Sequence, residues 1–465
     1  MNRISIRVWS LVLLVAVLLS GFGFFLTDYF VKGSDWVVVS GSPHVYNGEN
    51  IGCGVVVDRD NTLLVDLNDG RAYSNSVKLR RAMVHWIGDR YGSISAPALS
   101  NYAKEMAGFD YFNGVYNYGQ TGGVAELTLS AQIQTAALEA LGDYKGTVAV
   151  YNYKTGQLLC AVTTPTYDPD NVPQFDKDDP AYEGLYVNRF TQSAYTPGSI
   201  FKIVTLAAAL ENDPEVLNKT FTCTGKLQVG SDEIVCDDGA HWNQNLKQAF
   251  CNSCNCAFAQ IAMDLGAEKL QSYVEKIGLM DAVSFDGITT AKGNFSIVGA
   301  EQVNVAWSGV GQYLDLINPC AFLRFVGAVA NGGKVTEPYL VERISDDGNT
   351  TYKATVQAGE QIIQEKTAII LQEYMLNNVT TKYGAEKFPG LVVGAKTGTA
   401  EVEGQKPNAM LAGFVADTEM PLAFLVCVED GGYGKTVCIP IASKVLDVAS
   451  KALKLDFNNQ NVEER

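Results

Sequence analysis

Ser199 precedes Lys202 by three residues in Tyr195-Thr196-Pro197-Gly198-Ser199-Ile200-Phe201-Lys202, which continues as Ile203-Val204-Thr205-Leu206-Ala207-Ala208-Ala209-Leu210. That continuation is apolar nearly all round, the pattern of a buried helix. Residues three apart on a helix share a face, so this amine and hydroxyl come within hydrogen-bonding reach. Such a pair is the arrangement of a nucleophile and its general base. The helix dipole favours developing negative charge in the first turn, where Ser199 sits. The plainer alternative makes Ser199 a capping residue and Lys202 a solvated charge, yet a Lys entering so apolar a helix is costly without a purpose. Histidine is a poorer base here. His44 and His85 lie in the first part of the chain, only His241 is near, and no Gly-x-Ser-x-Gly run occurs. For Lys202 to accept a proton at neutral pH its pKa must fall from about 10.4 to roughly 7–8, a bias of about 4 kcal/mol. Burial and a neighbouring cation supply such a bias.

Lys396-Thr397-Gly398-Thr399 offers that second cation. It follows Leu391-Val392-Val393-Gly394-Ala395, read as a strand whose glycine permits close backbone approach. Alternation along a strand puts Thr397 and Thr399 on one face and Lys396 on the other. A third element, Ser253-Cys254-Asn255, enters the helical run at 257–262, and taken alone it is an N-cap. Cys223, Cys236, His241 and Cys251 recur just before it, with Asp237 and Asp238 alongside. Cys, His and carboxylate groups suit Zn²⁺, so a structural zinc site is one expectation. A Cys223–Cys236 disulfide and free thiols packed as small hydrophobes are the other two. Cys254 and Cys256 read as packing residues.

Positioning these groups falls to a chain of 465 residues, 47% hydrophobic and 18% charged, with a formal net charge of -16. That length buries an ample core, and ten Cys are too sparse for a disulfide scaffold. The excess of acid, 51 Asp+Glu against 35 Lys+Arg, speaks against nucleic acid as a partner. Val8 to Thr27 carries no charge, so residues 9–27 read as a membrane-spanning anchor. Arg3 and Arg7 precede it and Asp28 follows it, which leaves residues 1–8 in the cytoplasm and the rest of the chain outside. A cleaved signal peptide is the competing reading. The apolar stretch is too long for one, and Ser20-Gly21-Phe22 is a poor cleavage site.

Residues 28–125 alternate β-like runs at 36–39, 54–57 and 63–66 with turn residues and read as a small β-rich domain. Phe109–Gly123, rich in Tyr, Asn and Gly, reads as a connector, and Arg71, His85 and Asp89 as ordinary structural residues. The pattern then changes to a helix at 131–141 and a hairpin of strands at 146–151 and 158–162. Further strands are expected at 411–416 and 422–428, before a closing helix that carries Ile441, Val445, Val448 and Ala452 at helical spacing. Strands near both ends with helices between them predict an α+β domain over 126–455, whose sheet joins distant segments. Residues 456–465 read as a polar tail.

In this order, Ser-x-x-Lys, Ser-x-Asn and Lys-Thr-Gly are the signature of the penicillin-interacting enzymes. The sequence resembles a class B penicillin-binding protein, a membrane-anchored peptidoglycan D,D-transpeptidase, over nearly its whole length. Residues 146–150 and 163–169 look like the family's opening hairpin and loop. Asn188-Arg189, 309–312, Asn318-Pro319 and Thr399-Ala400-Glu401 are similar to further family segments. The match is looser over 28–125, and Tyr313 stands where a Gly is often seen. The resemblance implies a serine β-lactamase/transpeptidase-like α+β fold, an antiparallel sheet flanked by helices. A small pedestal or dimerisation-like domain and one transmembrane helix would precede it.

The resemblance also implies roles. Ser199 would attack the penultimate D-alanine carbonyl of a stem peptide while Lys202 takes its proton. Ser253 would relay that proton to the leaving amine, and Asn255 would bond Lys202 or the peptide. Lys396 would set the local field, the Thr397-Gly398-Thr399 segment would bind the substrate carboxylate, and N–H groups of Ser199 and Thr399 would form the oxyanion hole. A second stem peptide's amine would resolve the acyl-enzyme, whereas a β-lactam would leave slowly. No cofactor is implied, a structural zinc aside. The implied partner is a membrane glycosyltransferase of the SEDS family, because the class lacks such a domain of its own. Two alternatives compete. One is a D,D-carboxypeptidase or β-lactamase on the same scaffold, for which the motifs identify no water-activating residue. The other is a non-enzymatic β-lactam sensor or scaffold, against which the intact motifs argue.

Overall fold

One helix, α1 (Asn2–Val37), opens the chain, and its apolar side chains are exposed along its length. Among the described residues it is the one helix long and apolar enough to cross a membrane. It runs past the expected end of the apolar stretch, so Trp36 and Val37 are helical rather than extended. An Asp28–Lys32 ion pair at 2.8 Å, spaced i,i+4, supports this continuation. The computed structural model describes every residue except 1, 40, 43–44, 48–49, 69, 109–121, 175–178, 403 and 464–465. Most of the expected connector at 109–123 therefore lies outside the described residues, as does His44.

The next segment supplies β1 (Val55–Val57), β2 (Leu63–Asp66), helix α2 (Val77–Ile87) and β3 (Val124–Leu127). Strand-and-turn chemistry alone did not anticipate α2, although Leu79, Met83 and Ile87 fall at helical spacing and are buried together. Ser76 caps it by accepting the Leu79 N–H at 3.4 Å. β1 pairs antiparallel with β2 and parallel with β3, residues 72–73 pair outside β2, and the strands 341–346 and 349–353 complete the six-stranded sheet beside β3. The segment is therefore built together with strands more than two hundred residues downstream. Arg71, His85 and Asp89 are buried struts: His85 Nε2 lies 3.0 Å from the Leu185 carbonyl, and Asp89 accepts the Tyr167 hydroxyl at 2.7 Å. Arg71 donates to the Ile87 carbonyl.

Helix α3 (Ala131–Leu141) leads into β4 (Gly146–Asn152) and β5 (Leu158–Thr164), the expected hairpin with slightly longer strands. Helix α4 (Lys202–Asn212) is buried through its first nine residues, and α5 (Asn255–Leu265) packs beside it. The sheet is finished by β6 (Val393–Ala400), β7 (Asn408–Val415) and β8 (Leu422–Val428), and helix α6 (Gly434–Glu463) closes the chain. The expected polar tail is thus helical as far as Glu463. The order is β6-β7-β8-β4-β5, antiparallel throughout, with Val148 opposite Val426. Alternation gives each face its own core. Val148, Val150, Leu411 and Val426 pack with α3 and α6, while Ala149, Ala412 and Leu425 belong to the core that contains α4. β6 is an edge strand, and its free edge is where the site forms.

Candidate active site

Ser199 sits in a 3-10 turn, Gly198–Phe201, that runs directly into α4 at Lys202. Gly198 has φ 53, and a Cβ there would lie 2.5 Å from the carbonyl oxygen of Thr399 on β6. Only glycine satisfies both the left-handed backbone and this approach. Behind the turn, Gly198 N–H donates to the Gly311 carbonyl at 2.8 Å, and a Cβ on Gly311 would meet Gly198 O at 2.1 Å. The nucleophile turn is thus held between the edge strand and the 309–312 segment. Nearby, Tyr313 adopts φ 71, the left-handed conformation that glycine takes most easily.

All three sequence motifs converge. Lys202 is fully buried, with Nζ 2.9 Å from Ser199 Oγ, 2.6 Å from the Ser253 carbonyl oxygen and 2.6 Å from Asn255 Oδ1. A neutral amine has two N–H donors and one lone pair. The two 2.6 Å acceptors take the donors, which leaves the lone pair for the Ser199 hydroxyl. Ser253 Oγ lies 3.2 Å from Lys202 Nζ and 2.9 Å from Lys396 Nζ, so it bridges the two lysines. Lys396 is also fully buried and donates to the Thr397 carbonyl at 2.9 Å. Burial pushes the Lys202 amine down to about 8, opposed by Cys254, Cys236 and Asp237. Burial likewise holds Lys396 well below the usual lysine range, reinforced by Lys202 and Lys382.

Lys396 and its neighbours lie within β6, so the strand runs through the motif instead of ending before it. Thr397 and Thr399 are half-buried and line a cleft of about 210 Å³ with Ser199, Ser253 and Asn255. Ser253 takes a left-handed φ of 55, and the cap of α5 is Cys254, which accepts the Ala257 N–H. Of the four sulfur and imidazole candidates, Cys223, Cys236 and His241 come together, but Cys251 does not join them. Its Sγ lies 3.1 Å from Thr381 Oγ1, because the turn after 251 carries Cys254 inward instead. All ten cysteines are free, and the Cys223 and Cys236 sulfurs are 3.7 Å apart, so the structure has no disulfide there.

Two contributors escaped the sequence reading. Glu429, just beyond β8, takes Arg189 Nε at 2.8 Å and the Tyr195 hydroxyl at 2.8 Å, and so braces the approach to Ser199. Tyr383 accepts from both the backbone N–H and the hydroxyl of Thr397 at 3.1 Å. Neither sits in a motif. Arg189 and Glu429 are 240 residues apart in sequence, and only the sheet order brings them together.

The family described as penicillin binding protein transpeptidase domain matches residues 146–447. Peptidoglycan D,D-transpeptidase PbpA of Mycolicibacterium smegmatis is 28% identical over 352 residues, 70% of this chain and 70% of that protein. Stage V sporulation protein D of Bacillus subtilis is 27% identical over 397 residues, 80% of this chain and 58% of that one. Penicillin-binding protein A from M. tuberculosis, solved as a ceftriaxone acyl-enzyme complex, superposes with a TM-score of 0.74. It is 25% identical, over 85% of this chain and 98% of that structure.

Proposed function

The chain belongs to the penicillin-binding protein transpeptidase family, and from that premise we propose that it cross-links peptidoglycan stem peptides through an acyl-Ser199 intermediate. One observation carries the assignment of roles: the buried Lys202 amine meets Ser199 Oγ at 2.9 Å while the Ser253 carbonyl and Asn255 Oδ1, each at 2.6 Å, accept its N–H groups. Lys202 accepts the Ser199 proton as Oγ attacks the penultimate D-alanine carbonyl carbon. The oxyanion is met by backbone N–H groups of Ser199 and Thr399, the latter on the edge strand. Ser253 Oγ, between the two lysines, passes a proton to the leaving nitrogen as the C–N bond breaks and D-alanine departs. Thr397 and Thr399 hold the terminal carboxylate in the field of Lys396. The amine of a second stem peptide then attacks the ester, forming the new amide and returning the proton to Ser199. A β-lactam acylates Ser199 by the same steps, but its leaving nitrogen stays tethered.

Helix α1 serves as the anchor, with Arg3 and Arg7 on the cytoplasmic side and the catalytic domain outside. A SEDS-family glycosyltransferase is the partner this reading favours, contacted through α1 and the segment that follows it. The test uses the full chain in detergent with a pentapeptide donor and an amine acceptor. D-Alanine release matched by cross-linked product, both lost in Ser199→Ala, is expected. D-Alanine release with no acceptor product would make the protein a carboxypeptidase and overturn the reading.

A further inference from the structure

We propose that Tyr383 is a substrate-binding residue of this site: its phenolic O–H donates to the terminal carboxylate of the stem peptide, and Thr397 acts through it. The inference rests on the transpeptidase reading and adds one contact to it. A phenolic oxygen can accept hydrogen bonds and has one proton to give. At Tyr383 the accepting side is filled by a single residue, through the backbone N–H and the hydroxyl of Thr397, each at 3.1 Å. Among the described residues nothing accepts the Tyr383 proton in return. Tyr383 is 3% exposed, and it lines the cleft of about 210 Å³ together with Ser199, Thr397 and Thr399. A buried donor left without an acceptor is costly, and an acceptor carried in by the ligand removes that cost.

The neighbouring groups narrow what that acceptor is. Thr397 has one hydroxyl proton, and it is engaged with Tyr383. Lys396 contributes its field, but its Nζ already bonds Ser253 Oγ and the Thr397 carbonyl, each at 2.9 Å. Thr399 remains as the side-chain donor of the edge strand, and Tyr383 supplies the second donor that a two-oxygen acceptor takes. Lys382, the preceding residue, also lines the cleft and lies 3.2 Å from Asp238. An anionic acceptor suits two lysines on this wall. Burial pushes the phenol up to about 12, so it keeps its proton, and its role as a donor, at neutral pH.

The backbone is built to deliver this side chain. The helix Glu365–Asn378 runs into a π turn, Val379–Tyr383, closed by the Gly384 N–H on the Val379 carbonyl at 2.9 Å. Such a turn holds one residue more than an α turn and is frequent at functional sites. Asn378 Nδ2 donates to the Ala395 carbonyl at 3.0 Å, which fastens the start of the turn to β6 two residues before Thr397. Tyr383, at the far end of the turn, is thereby placed against the strand that carries Thr397 and Thr399.

Acylation by benzylpenicillin and by its methyl ester tests the assignment, because the penicillin carboxylate stands for the terminal carboxylate and the ester masks its charge. Second-order rate constants are read by intact mass on the full chain in detergent. The unmodified protein should favour the free acid. Tyr383→Phe should slow acylation by the acid about thirtyfold and by the ester less than about threefold, the loss of one hydrogen bond to a charged group. Thr397→Val leaves the phenol its proton and the backbone N–H of residue 397, so most of the preference for the acid should survive. Should Tyr383→Phe fail to fold, Thr397→Val still decides. Equal slowing of acid and ester in Tyr383→Phe would make Tyr383 a structural prop and overturn the proposal. So would loss of the acid's preference in Thr397→Val, which would assign the carboxylate to Thr397 directly. An unmodified protein acylated by neither compound would overturn the transpeptidase reading itself, and this contact with it.

Discussion

Lys202 makes the rate of Ser199 acylation a function of pH, with a midpoint the structure supplies. Burial brings its amine down from 10.5 to about 8, and the neutral form is the base. At pH 7 roughly a tenth of the molecules then carry a competent base, against about one in three thousand for an ordinary lysine. The gain is about 300-fold, or about 3 kcal/mol of bias against the ammonium. The groups facing the amine are Ser199, Ser253 and Asn255 directly, Lys396 through Ser253, and Cys254, Cys256, Cys236 and Asp237 around them. The second-order rate constant for a fluorescent penicillin, measured by quenched labelling at constant ionic strength, should climb about tenfold per unit below pH 7. It should bend near 8 and level off about one unit higher. The same shift acts on stability. Between about 8 and 10.5 the unfolded chain holds a proton that the folded one has lost, so this group's contribution rises with pH across that window. A flat rate profile from pH 6 to 9, or one still rising as an unperturbed lysine would, refutes Lys202 as the base.

Three further perturbations probe what positions the nucleophile. Gly198→Ala places a methyl 2.5 Å from Thr399 O at a left-handed φ, so acylation should fall roughly a hundredfold while circular dichroism stays native. Glu429→Gln leaves the guanidinium of Arg189, 5% exposed, without its charge partner. Urea unfolding should show a loss of about 1–3 kcal/mol, with slower acylation alongside. Arg80 and Asp168 form a bidentate pair at 2.6 Å, both largely buried, between α2 and the loop after β5. Arg80 holds the Asp168 carboxyl below its usual 3.8, so this pair stabilises the fold above that pH and is lost as pH falls through the lower folded value. Asp168→Asn should therefore lower Tm at neutral pH, with the difference shrinking in acid.

Much of this site was legible because its chemistry is local. Ser199 and Lys202 share one helix turn, Ser253 and Asn255 one helix start, and Lys396 to Thr399 one strand, so spacing alone gave each motif its geometry. The strands 422–428 and 146–152 were equally plain, since β-branched and apolar runs bounded by turn residues leave little choice. Non-local pairings were harder. Nothing near Val124–Leu127 says that its neighbour will be residues 341–346, and nothing near Arg189 points to Glu429. Cys254 is small and buried at a helix start, as a packing residue would be, and only the fold of 220–241 brings Cys223, Cys236 and His241 within 4.8 Å of it. Trp36 and Val37 were misassigned because β-propensity yields to a helix already propagating from the membrane-length segment before them.

Every catalytic role assigned above depends on covalent acylation of Ser199. Intact mass spectrometry of the full chain incubated with benzylpenicillin, followed by peptide mapping, tests it directly. A single penicilloyl adduct on the peptide containing Ser199 is expected, stable over minutes and absent in Ser199→Ala. An unmodified chain, an adduct on another residue, or rapid catalytic destruction of the penicillin would contradict it.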